Sequence, residues 1–239
     1  MSRWFEELDY RRTPMGELIL QRRRIAALDN AEAIEVKLNG EYLMSSLFHV
    51  TEVALADRAL ARLDGTALDV VVGGLGLGYT TAAALRNPRV RRLIVVEALE
   101  PVIEWHRTGL VPNGRILTDD PRCVFHHADF FALACGRGFD PETEGVLFDA
   151  VLLDVDHTPR QVLAPAHAGF YTESGLRQLA RFLRPGGVFA LWSNEAPEAE
   201  FVALLQRVFG RAEGHRIEFD NPLQGNMAVG GIYLAGGQT

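Results

Sequence analysis

The stretch that decides the fold runs Leu68-Asp69-Val70-Val71-Val72-Gly73-Gly74-Leu75-Gly76-Leu77-Gly78. A β-branched apolar run opens it, glycines follow, and Thr80 to Arg86 then reads as a helix stopped by Asn87-Pro88. The same alternation continues downstream. Leu93 to Val96 is a second strand ending at Glu97, and Pro101 to Gly109 is a helix with proline in its first turn. Cys123 to His127 and Phe148 to Leu153 are further strands, ending before Asp129 and at Asp154. Leu176, Leu179, Ala180 and Leu183 mark a helical face that Pro185-Gly186-Gly187 should end, ahead of a strand from Val188 to Trp192. A helix through Phe201, Leu204, Leu205 and Val208 and two strands near His215–Phe219 and Ala228–Leu234 complete the pattern. Near-continuous apolar strands between amphipathic helices predict an α/β, Rossmann-like, doubly wound and mostly parallel sheet of about seven strands.

Upstream the pattern differs. Ala33 to Leu38 alternates strictly and ends at Asn39-Gly40, a hairpin signal, so residues 10 to 45 predict a small antiparallel sheet. A helix over His49 to Leu63 follows. The expected division is a small N-terminal β segment with a linking helix, 1–65, and a Rossmann-like nucleoside-binding domain, 66–239.

The 239 residues carry a net charge of −7, which disfavours general attraction to nucleic acid. Arg11-Arg12 and Arg22-Arg23-Arg24 are too short to alter that reading. Two cysteines make neither a disulfide framework nor a four-cysteine zinc site. Residues 1 to 13 lack the apolar core of a secretory signal, and no apolar run is long enough to span a membrane, so a cytoplasmic location is expected.

Open parallel sheets bind ligands at the carboxyl ends of their strands. Gly73, Gly74, Gly76 and Gly78 allow a tight turn and close approach to a ligand, but the loop lacks the Lys and Ser/Thr of a P-loop. Glu97 stands 21 residues beyond Gly76, the spacing at which an acid can accept from both ribose hydroxyls. Asp129, beside Phe130 and Phe131, can accept from an adenine amino group and can also cap a helix. His126-His127 and Trp105-His106 have no matching acids or cysteines, so no metal is expected.

With these residues assembled, the sequence resembles the spermidine synthase (polyamine aminopropyltransferase) family, a branch of the class I S-adenosylmethionine-dependent methyltransferase fold. Leu38-Asn39-Gly40, the glycine loop, Glu97, Asp129, Phe148 to Asp154, Phe170-Tyr171 and Leu183 to Gly187 carry the likeness. The resemblance implies a homodimer, S-adenosylmethionine or its decarboxylated form as cofactor, and a small-molecule acceptor such as an amine. It places Glu52 and Tyr171 at the acceptor and Asp154 at both donor and acceptor. Asp154 is the first choice of base, with Asp156 and His157 next.

Two departures stand out. The family's glycine loop carries an Asp where this chain has Gly76, removing an anion from the place of a cationic donor tail. The family's Asp-Ser-Ser-Asp-Pro becomes Asp154-Val155-Asp156-His157-Thr158-Pro159. The Gly76 change favours a donor that keeps its carboxylate, so methyl transfer to a small molecule is the leading expectation. Aminopropyl transfer is the alternative, and a non-catalytic nucleoside-binding protein is a third.

Overall fold

The computed structural model describes residues 4–237. Four antiparallel strands come first, in sheet order β1-β2-β3-β4: β1 (Phe5–Thr13), β2 (Gly16–Ile25), β3 (Ala31–Leu38) and β4 (Glu41–Ser45). Asn39 and Gly40 both have positive φ, 54° and 83°, the two-residue primed turn whose twist suits a hairpin. The Asn39 side chain also accepts from Glu17 N and donates to Met15 O, tying this turn to the preceding one. The basic triplet is neutralised locally: Arg22 pairs with Glu6, Arg23 with Glu35 and Arg24 with Glu32.

Helix α1 (Val50–Ala61) leads into the large sheet. Its strands are β5 (Leu68–Gly73), β6 (Val90–Glu97), β7 (Cys123–His127), β8 (Phe148–Leu153), β9 (Leu183–Ser193), β10 (Ala212–Asn221) and β11 (Asn226–Gly236). Their order is β10-β11-β9-β8-β5-β6-β7, parallel except where β11 pairs antiparallel with β9 and β10. The helices are α2 (Tyr79–Leu85), α3 (Glu100–Thr108), α4 (Gly114–Thr118), α5 (Phe130–Cys135), α6 (Glu173–Ala180) and α7 (Ala199–Phe209).

Strand residues alternate between two cores, as the period of two requires. Val70, Val72, Leu93, Val95, Ala150, Leu152, Val188 and Ala190 face the core shared with α1 to α4. Leu18, Leu20 and Val36 of the small sheet join that same core, so the N-terminal sheet is seated on the large one. Val71, Ile94, Val96, Val151, Leu153, Phe189 and Leu191 face a second core, rich in phenylalanine, with α5 to α7. Both faces are covered, which explains strands that are apolar at every position.

Two details differ from the sequence reading. Leu183 opens β9 rather than closing the preceding helix, because Arg184 to Gly187 form a bulge that lets Phe148 pair with Leu183 and Ala150 with Val188. Helix α4 has one turn and too few apolar repeats to be seen.

The bulge has a structural use. Arg184 pairs with Asp69 (2.8 Å) and Asp149, and Arg91 with Asp69 (2.5 Å), at the end of the sheet remote from the glycine loop. Burial raises the Asp69 carboxyl, but hydrogen bonds from Arg91 and Arg184 outweigh it and hold the group below its ordinary value. Arg184→Ala should cost about 2–3 kcal/mol by leaving Asp149 without its arginine and buried Asp69 with Arg91 alone. Denaturant unfolding near neutral pH would measure it. The loss should shrink as pH falls through the folded value of Asp69, where the carboxylate protonates.

Among the described residues, no helix is long and apolar enough to cross a membrane.

Candidate active site

Neighbours β6 and β8 leave β5 in opposite directions, so the crevice lies where the chain order reverses. A cavity of about 890 Å³ opens there, between the carboxyl ends of the large sheet and the small N-terminal sheet. Gly74, Gly76 and Gly78 line it; Gly73 does not, and its missing Cβ leaves room for Phe130 and Leu153. Gly74 has φ +90°, and a Cβ there would lie 2.1 Å from the Asp154 carbonyl oxygen. The loop therefore lies directly against the Asp154 strand end, held by Asp154 N donating to Gly73 O at 2.8 Å. A Cβ on Gly76 would lie 2.8 Å from Met44 Sδ. Met44 thus fills the space beside Gly76.

Glu97 is buried at the cavity wall. Leu75 N donates to its Oε2 at 2.9 Å and Leu99 N to its Oε1 at 2.8 Å, and the Ala98 and Gly76 amides also favour its charged form. Burial pushes this carboxyl up, and the backbone donors oppose that. Asp129 caps α5 through Oδ1, accepting from Phe131 N and Ala132 N. Its Oδ2 takes no protein donor among the described residues. Capping thus occupies one oxygen and leaves the other without a protein donor.

Asp154 accepts from Thr80 Oγ1 at 2.6 Å. Burial pushes Asp154 up to about 6, against that hydrogen bond. Glu52 on α1 is pushed up to about 8, first by burial and then by the Asp154 charge. The Trp192 indole lies near Glu52 and lowers it slightly, yet its buried Nε1 meets no partner in hydrogen-bond geometry. The result is a pair of acids in a largely apolar cavity, where two negative charges repel, with an orphan N–H beside them.

His157 also lines the cavity. Asp156 and Tyr171 do not. Asp156 Oδ1 accepts from Leu163 N (2.7 Å) and His167 Nδ1 (2.9 Å), and Oδ2 accepts from Tyr171 OH (2.8 Å). With every oxygen engaged and the carboxylate buried, Asp156 shapes the loop after β8. Sequence reasoning missed Thr80, Met44 and Trp192. A hydroxyl in the first turn after the glycine loop was the available signal for Thr80; Met44 and Trp192 arrive from distant strands and gave none.

No family model matches the chain. A polyamine aminopropyltransferase of Nitrosomonas europaea is 34% identical over 146 residues, 59% of this chain and 41% of the relative. One from Prochlorococcus marinus is 31% identical over 150 residues, 60% of this chain and 48% of the relative. The matches thus span under half the length of these curated relatives. Spermidine synthase from Thermotoga maritima superposes with a TM-score of 0.73 at 17% identity, covering 97% of this chain and 73% of that one. The chain has the spermidine synthase fold. A spermidine synthase in complex with the transition state analogue AdoDATO gives the same TM-score, 0.73, at 18% identity, covering 97% and 74%. Human methyltransferase-like protein 13 with SAH reaches 0.55 at 22% identity, covering 79% and 82%. The fold is thus shared in part with a methyltransferase as well.

Proposed function

We propose that the chain is a transferase moving an aminopropyl group from decarboxylated S-adenosylmethionine to an amine. The observation that carries this reading is the Glu52–Asp154 pair in a cavity whose single lining arginine, Arg23, is already held by Glu35. A cationic amine relieves that like-charge repulsion, whereas a donor carboxylate would enter beside it with no lysine or unengaged arginine lining the wall. Methyl transfer, the leading expectation from Gly76, fits this wall less well, because the wall offers a donor carboxylate no free lysine or arginine. The names of the curated relatives point the same way.

The donor would supply a sulfonium with an electrophilic methylene beside it. Glu97 and the open oxygen of Asp129 suit its ribose and adenine, and the glycine loop gives it backbone contact. Asp154, fixed by Thr80, takes the proton that the amine nitrogen loses as the C–N bond forms and the C–S bond breaks. His157 is the next candidate for that proton. The test is incubation with decarboxylated donor and a panel of amines, followed by mass spectrometry. Product with one added aminopropyl group supports the reading; methylated product from S-adenosylmethionine alone overturns it.

A pH dependence follows. Activity should rise as pH passes about 6 and Asp154 ionises. Glu52→Gln should abolish the second titration near 8 and retain the first, as read from kcat/KM profiles. Folding gives the opposite sign. The native state holds protons that the unfolded chain releases near 4.5, so stability falls as pH rises from there to about 8. Glu52→Gln should flatten that decline.

A further inference from the structure

The acceptor end of the cavity has one charged locus. Five carboxylates line the cavity as a whole: Glu35, Glu52, Glu97, Asp129 and Asp154. Glu97 and Asp129 lie with the nucleoside elements, at the ends of β6 and β7. Glu35 is neutralised: Arg23 binds it through Nε (3.1 Å) and Nη2 (2.7 Å), and Gln21 Nε2 adds a third bond at 2.7 Å. Only Glu52 and Asp154, with Thr80 beside them, remain to receive an ammonium group.

Beyond that pair the wall is largely apolar, and its polar side chains, among them Tyr42, Ser45, Tyr79, His157 and Asn194, include no further unpaired carboxylate outside the nucleoside elements. Leu38, Leu43 and Met44 come from the small sheet, Phe48 from the loop before α1, Trp192 from β9 and Leu223 from the β10–β11 turn. Asp156, the carboxylate nearest in sequence to Asp154, does not line the cavity and is held by Leu163 N, His167 and Tyr171. The second ammonium of a diamine would find no unpaired carboxylate among these side chains. A single amine on an apolar body would meet both halves of the chamber.

We propose that the acceptor is a primary monoamine with an alkyl or aryl body, held by its nitrogen between Glu52 and Asp154 and by its body against Leu43, Met44, Phe48 and Trp192. This rests on the aminopropyl-transfer reading for the reaction, but not for the binding.

Two measurements on the wild-type chain separate the claims. Turnover with decarboxylated donor is compared for hexylamine, phenethylamine and putrescine at about pH 8. Calorimetry then follows the same three amines binding to the protein saturated with methylthioadenosine. A monoamine is expected to exceed putrescine by at least about tenfold in kcat/KM and in affinity. Putrescine equal to or better than both monoamines in either measurement overturns the proposal, as does binding of none of the three. Preferential monoamine binding with no aminopropyl transfer to any amine upholds the proposal and refutes the reaction.

Discussion

Asp154→Asn should lower kcat by about 10²–10⁴-fold, the range for loss of a positioned proton acceptor. Donor affinity should stay within a few-fold of wild type, because the nucleoside contacts belong to Glu97, Asp129 and the glycine loop. The substitution keeps the shape of the side chain and its place beside Thr80 Oγ1, 2.6 Å away in the native protein. It also removes one of two like charges, so the variant should be at least as stable as wild type at alkaline pH. Steady-state kinetics and calorimetry on one preparation would measure both quantities. Unchanged turnover would move the proton to another acceptor, and His157, which also lines the cavity, is the first to examine. If wild type and variant both bind donor and neither turns over, the protein is a nucleoside-binding module.

Gly74→Ala should be more damaging than its single methyl suggests. The residue sits at φ +90°, where an L side chain is strained, and the new carbon would stand 2.1 Å from the Asp154 carbonyl oxygen. That oxygen is backbone, so relief requires the glycine loop and the end of β8 to separate. Such a shift moves the nucleoside loop away from the proposed base. Donor affinity should fall by at least about a hundredfold, and stability by about 2–4 kcal/mol. Calorimetry and thermal unfolding would read these. A variant that binds donor normally would show that the loop does not pack against Asp154 as described.

The local signals in the sequence were those set by chain periodicity. Alternating strands and helices, the Asn39-Gly40 hairpin and glycines after β5 all follow from spacing and backbone chemistry. The acids at strand ends followed too, since sheet topology delivers every strand end to one rim. What lay beyond reach was the direction of side chains on loops and contacts between distant segments. Asp156 stands two residues after Asp154, yet Leu163, His167 and Tyr171 draw it inward, so adjacency in sequence did not place it in the cavity. Gly76 alone suggested a donor with a carboxylate. The partner acid of Asp154 is Glu52, which meets it from a helix more than one hundred residues earlier. Local reading could register the missing acid, but only the packed structure pairs Glu52 with Asp154. The bulge at Arg184 had the same character. Pro185-Gly186-Gly187 reads locally as a helix stop, while the ion pairs with Asp69 and Asp149 make it part of β9.

The most direct test of the account is donor choice. Calorimetric titration of the wild-type chain with S-adenosylmethionine and with its decarboxylated form, at about pH 8, compares ligands that differ only in the carboxylate. The account predicts at least about tenfold tighter binding of the decarboxylated donor, because Glu52 and Asp154 repel the extra anion and Arg23 is committed to Glu35. Equal affinity, or preference for S-adenosylmethionine, would contradict it.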